Sequence, residues 1–151
     1  MTQEKLFFIQ EVEVRYKNVT PKNERAKIQS SHDANEILRI AMGDLIDYKE
    51  AFYILLLNNS NEVLGVSKLS EGGITGTLVD VRLLFQIALK SHAVGVILAH
   101  NHPSGTLRPS EADKSLTQKL KKAGDYLDIK VLDHLIITTE SYFSFADENI
   151  L

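Results

Sequence analysis

His100 and His102 stand one residue apart in the stretch ILAHNHPSGTLRPSEAD, and Asp113 closes the same stretch. On an extended strand the side chains at i and i+2 share a face, with Cα atoms about 6.6 Å apart. The two imidazoles can therefore converge on one cation, each bonding through one nitrogen at about 2.0–2.1 Å if the cation is zinc. Asn101 points to the opposite face and is no candidate. Pro103 has no N–H to donate, so strand pairing ends there, and Ser104-Gly105 completes a turn away from the sheet. Ser110 then opens S-E-A-D, the pattern of a helix capping box. Asp113 is thus a cap by one reading and a third ligand by another. Its place eleven residues after His102 favours the ligand, because a helix starting just after the turn sets a first-turn carboxylate opposite the strand end. Two His and one Asp leave a fourth tetrahedral position for water, as catalytic zinc sites do.

The elements that must hold these residues follow from the hydrophobic pattern. Residues 93–100 are a short, β-branched, buried strand leading into the histidine pair. Residues 110–127 read as a helix with Leu116, Leu120, Ala123 and Leu127 on its buried side. Upstream, 6–16 begins as an apolar run and then alternates, so it reads as a strand. A helix follows, with Ser30 and Asp33 as its capping box, Ile37, Leu38 and Ala41 at helical spacing and Gly43 as its stop. Residues 50–59 and 62–73 read as a hairpin. Asp80 is the expected N-cap of a helix whose apolar face is Val81, Leu84, Phe85, Ala88 and Leu89. "IKVLDHLIITT" and "YFSFAD" read as two closing strands. The order is β–α–β–β–α–β–α–β–β, a mixed α/β sheet with three helices and, at 151 residues, one domain.

Composition narrows the function classes. The chain has no cysteine, which excludes disulfides, thiolate metal sites and a Cys nucleophile. The N-terminus is interrupted by Gln and Glu and reads as neither signal peptide nor membrane span, so the expected compartment is the cytoplasm. A formal charge of −3 gives no global attraction for nucleic acid. Arg15, Lys17, Lys22, Arg25 and Lys27 form a local basic segment, read as a solvated loop, and Lys114, Lys119, Lys121 and Lys122 a solvated helix face. His32 and His92 read as surface residues. His134, in an apolar strand, reads as buried with one hydrogen bond, or as a residue supporting a metal ligand.

The string H-x-H-P-S-G-x4-S-x2-D, with "KVLDHLII" and "YFSFAD" after it, resembles the JAMM motif of the JAB/MPN metalloprotease superfamily, and its RadC branch in particular. The likeness runs from about Tyr53 to the C-terminus. It implies a JAB/MPN, cytidine-deaminase-like architecture and Zn2+ held by His100, His102 and Asp113. It also implies that Ser110 helps to hold a developing oxyanion and that an upstream Glu is the general acid/base. Two carboxylates compete for that last role. Glu62 lies in a hairpin tip. Glu71 precedes two glycines and stands ahead of Gly76-Thr77 as a Glu does in the RadC branch, so Glu71 is the expected base, with a solvated turn residue as the plainer reading. The implied activity is peptide or isopeptide hydrolysis of a protein or peptide substrate. The alternatives are a non-catalytic MPN scaffold and an accessory protein of DNA repair or mobile elements. The likeness does not extend to the N-terminal helix-hairpin-helix domain of full-length RadC, so direct nucleic-acid binding has little support, and nothing in the sequence sets the oligomeric state.

Overall fold

The computed structural model describes residues 19–72 and 78–151, with 13, 15 and 17 besides. The strand expected over 6–16 and the Gly76-Thr77 pair lie outside the described residues. From there on, the order of elements is the expected one: α1 (Ser31–Met42), β1 (Ala51–Leu57), β2 (Val63–Glu71), α2 (Val81–Lys90), β3 (Gly95–Asn101), α3 (Glu111–Tyr126), β4 (Lys130–Ile137) and β5 (Tyr142–Ser144). The fold is α/β. Five strands among the described residues form one mixed sheet in the order β2-β1-β3-β4-β5. The β3–β4 pair is parallel and the other pairs are antiparallel. α3 makes the crossover that a parallel pair requires.

Each helix starts where its polar cap predicts. Ser30 and Asp33 close a full capping box on α1, and Ser110 and Asp113 do the same on α3. Asp80 accepts from the Arg82 N–H at the start of α2.

The sheet separates two apolar layers because strand side chains alternate between faces. Tyr53, Leu55 and Leu57 of β1 and Ile97 and Ala99 of β3 pack with Ala34, Leu38 and Met42 of α1. Phe52, Ile54 and Leu56 with Val96 and Leu98 face the other way, against Leu84, Phe85 and Ala88 of α2 and Leu120 of α3. Full burial of each valine, leucine, isoleucine, methionine or phenylalanine among them contributes about 1.5–3 kcal/mol. Two expected core residues lie outside it: Leu89 is 50% exposed and Leu127 41%. Leu127 is the C-cap of α3, where the chain has already left the helix.

Gly124 allows α3 to lie on the start of β4, since a Cβ there would collide with the Ile129 carbonyl. β3, buried along its whole length, ends at Asn101, and the chain turns at Pro103 and Ser104 as the missing proline N–H requires. Gly105, at φ +85°, closes that turn by donating to the His102 carbonyl at 3.0 Å. No helix among the described residues is long and apolar enough to cross a membrane.

Candidate metal centre

The face that carries Val96 and Leu98 also carries His100, and His102 follows two residues later on the same side, towards the start of α3. His100 is 1% exposed, its ring stacked parallel to Phe52 at 6.1 Å between centroids. Its Nε2 lies 2.9 Å from His102 Nε2. Asp113 places Oδ1 3.4 Å from His100 Nε2 and Oδ2 3.6 Å from His102 Nε2. The same carboxylate caps α3, with Oδ2 accepting from the Ser110 N–H at 2.8 Å. The two readings of Asp113 are therefore compatible: the capping box fixes the rotamer that turns the carboxylate to the histidines. Ser110 is exposed at the N-cap and its Oγ accepts from the Asp113 N–H at 3.0 Å, which leaves its hydroxyl proton free to be donated.

Hydrogen-bond bookkeeping shows which atoms carry lone pairs. His102 Nδ1 is 2.6 Å from the Thr106 carbonyl, which can only accept, so Nδ1 bears the hydrogen and, in the neutral ring, Nε2 the lone pair. His100 Nδ1 meets His134 Nε2 at 2.8 Å, and His134 Nδ1 meets Thr117 Oγ1 at 2.6 Å. Thr117 spends its one hydroxyl proton on the Asp113 carbonyl at 2.7 Å and so accepts from His134. It follows that His134 Nε2 accepts from His100 Nδ1–H, and His100 Nε2 also points a lone pair into the cluster.

Two imidazole lone pairs and a carboxylate at these separations repel one another unless positive charge lies among them. Burial would push the Asp113 carboxyl up, but His100, His102 and the Ser110 N–H outweigh it and hold the carboxyl far below the usual range. Asp113 in turn raises the pKa of His102, against the lowering effect of burial, with help from the Thr106 carbonyl and Glu50. The separations of 2.9, 3.4 and 3.6 Å bracket the roughly 3.3 Å edge of a tetrahedron with zinc–ligand bonds of about 2.0–2.1 Å. The donor set fits a metal ion.

The expected base is not at this cluster. Glu71 pairs with Ala51, so it projects on the α1 side of the sheet, away from the histidines. It is exposed and bonded to Lys68, which holds its carboxyl below the usual range. The plainer expectation is a solvated turn residue; the structure has Glu71 exposed as the last residue of β2. Glu62 is no closer in role: it sits at the hairpin, taking a bond from Asn58 and lying 3.8 Å from Arg25.

The carboxylate that does approach is Glu50, which the sequence reading passed over. One of its oxygens and one nitrogen each of His100 and His102 lie within 4.8 Å of one another. The register explains this. Phe52 pairs with His100, so two residues back along an antiparallel pair Glu50 faces His102 on the same side. Asn101 holds the segment that carries it. Its amide donates to the carbonyls of Leu45, Ile46 and Lys49 at 2.7–3.0 Å, and its Oδ1 accepts from the Ala51 N–H at 2.8 Å. The residue between the two histidines thus clamps both neighbours of Glu50 from the other face of the sheet.

The profile of the RadC-like JAB domain family matches residues 28–150, a span that contains Glu50, His100, His102, Ser110 and Asp113. The chain belongs to this family. Among similar curated proteins, a UPF0758 protein of Flavobacterium johnsoniae is 56% identical over 124 residues, covering 82% of this chain and 53% of the relative. The UPF0758 protein YkfG of Escherichia coli is 43% identical over 122 residues, covering 81% and 76%, and one from Porphyromonas gingivalis is 44% identical over 133 residues, covering 87% and 59%. This chain therefore spans little more than half the length of several relatives. The RadC-like JAB domain here carries a His/His/Glu group able to hold a metal, beside an aspartate on the next helix.

Proposed function

We propose that the chain is a zinc-dependent hydrolase that cleaves peptide or isopeptide amides in a protein or peptide substrate. The observation that carries the reading is the convergence of His100 Nε2, His102 Nε2 and the Asp113 carboxylate at tetrahedral spacing, with a separate carboxylate, Glu50, beside them. Two imidazoles and one carboxylate form a ligand set of borderline softness that suits zinc and leaves room for water.

When bound, zinc supplies Lewis acidity, polarising a carbonyl and lowering the pKa of a water to about 7. Glu50, beside the site, would accept a proton from water and return it to the leaving amine, the work of a general base turned general acid. The Ser110 hydroxyl donates to the oxygen on which negative charge develops. Asn101 keeps Glu50 in place, and Glu71 has no part.

The reading is tested by metal analysis together with a hydrolysis screen on peptide and isopeptide substrates. Wild type should carry zinc and turn over. Glu50→Gln should keep the zinc and lose activity by roughly 10²–10⁴-fold, His102→Ala should lose both, and Glu71→Gln should behave as wild type. A protein that takes up no zinc, or a Glu50→Gln variant as active as wild type, would contradict the reading.

A further inference from the structure

The strand ligand and the helix ligand are joined by a buried chain of hydrogen bonds that the proposed chemistry does not itself use. His100 Nδ1–H donates to His134 Nε2, His134 Nδ1–H to Thr117 Oγ1, and the Thr117 hydroxyl to the Asp113 carbonyl, at 2.8, 2.6 and 2.7 Å. Both middle members are fully buried, at 0% exposure. His134 is held between rings, stacked on Phe145 at 4.6 Å and edge-on to Phe52 at 5.5 Å between centroids. Its orientation is therefore set by packing before any ligand arrives.

The direction of every proton is forced from the carbonyl end, because a carbonyl only accepts. A neutral imidazole has two tautomers, and the bond made by one nitrogen decides which nitrogen is free to bind a metal. We propose that His134 and Thr117 are positioning residues of the metal centre. They hold His100 in the Nδ1–H tautomer, so that its Nε2 lone pair points at His102 and Asp113, and they tie that choice to the first turn of α3. Thr117 stands four residues after Asp113, one helical turn on, so one hydroxyl links the helix that supplies Asp113 to the imidazole that fixes His100. This proposal rests on the metal reading above. It also explains why β4, buried from Asp133 to Ile137, carries a histidine on its α3 face, where an apolar residue would pack as well.

The test compares wild type with Thr117→Val, Thr117→Ser and His134→Phe, measuring zinc Kd by chelator competition and the tautomer of His100 by 15N NMR of the metal-free protein above the histidine titration. Thr117→Val is close in shape, so it stands in if His134→Phe fails to fold. Wild type should show His100 protonated at Nδ1. Thr117→Val and His134→Phe should bind zinc about 10- to 100-fold more weakly, the usual effect of losing such a supporting bond, while Thr117→Ser, which keeps the hydroxyl, should stay close to wild type. A purely structural role would lower thermal stability and leave both the zinc Kd of the folded variants and the tautomer unmoved. That result would overturn the proposal, as would a wild-type His100 protonated at Nε2. If wild type itself binds no zinc, the metal reading fails and this proposal fails with it. If wild type binds normally and the folded variants bind equally well, only the proposal fails.

Discussion

His100 and His102 can share one cation because a strand repeats its side-chain direction every second residue, and that relation is readable from the sequence alone. Asp113 is harder, since a helix cap and a metal ligand make the same demand on sequence. The structure shows one carboxylate in both positions, with Oδ2 on the Ser110 N–H and Oδ1 nearest His100. Asp113→Asn separates the two. The amide oxygen still accepts from the Ser110 N–H, so unfolding free energy of the metal-free protein should change by no more than about 1 kcal/mol, the usual worth of a cap. Zinc retention on gel filtration should be lost. A variant that keeps its zinc would show Asp113 to be a cap and nothing else. Glu50 was not legible, for a physical reason: its nearness to His102 depends on which strand lies beside β3 and in what register, and both are non-local. The Lys68 beside Glu71 and the face set by its Ala51 pairing, which turn it from the histidines, are likewise invisible to spacing.

Among the described residues the elements themselves were legible, because period, caps and breakers are local. The capping boxes at Ser30 and Ser110 and the N-cap at Asp80 all form. What the pattern could not give was the internal wiring of the "DH" pair in β4. His134 faces α3 and the metal cluster. Asp133 faces the other way and fastens the end of the chain, accepting from the Ser144 hydroxyl at 2.6 Å and the Ala146 N–H at 2.9 Å. Burial raises the Asp133 pKa, and the bonds from Ser144, Ala146 and His134 offset this only in part. Its folded pKa is therefore above its unfolded value, and between the two the folded state holds more protons. Stability from this group is greatest below the ordinary carboxylate value of 3.8 and declines as pH rises through the window up to the raised folded value. Asp133→Asn should abolish that slope, so the variant's stability relative to wild type should improve across the window in urea melts at successive pH values. Parallel curves would refute the assignment.

On the scale of the molecule, the candidate centre lies beyond the carboxyl end of β3, where the chain leaves a parallel pair, the usual place for a ligand on such a sheet. A metal there joins the central strand to α3 and so acts on the whole fold. Zinc at a hundredfold excess over its Kd should stabilise the native state by about 2.7 kcal/mol, which at this length raises Tm by roughly 5–10 °C. His102→Ala should show no such shift in calorimetry, and an equal rise in that variant would place the bound ion elsewhere. The decisive measurement is X-ray absorption at the zinc edge on the loaded wild-type protein. Four light ligands should appear at about 2.0–2.1 Å, with the outer-shell scattering of two imidazoles. A six-oxygen shell, or a zinc with no imidazole scattering, would contradict the account.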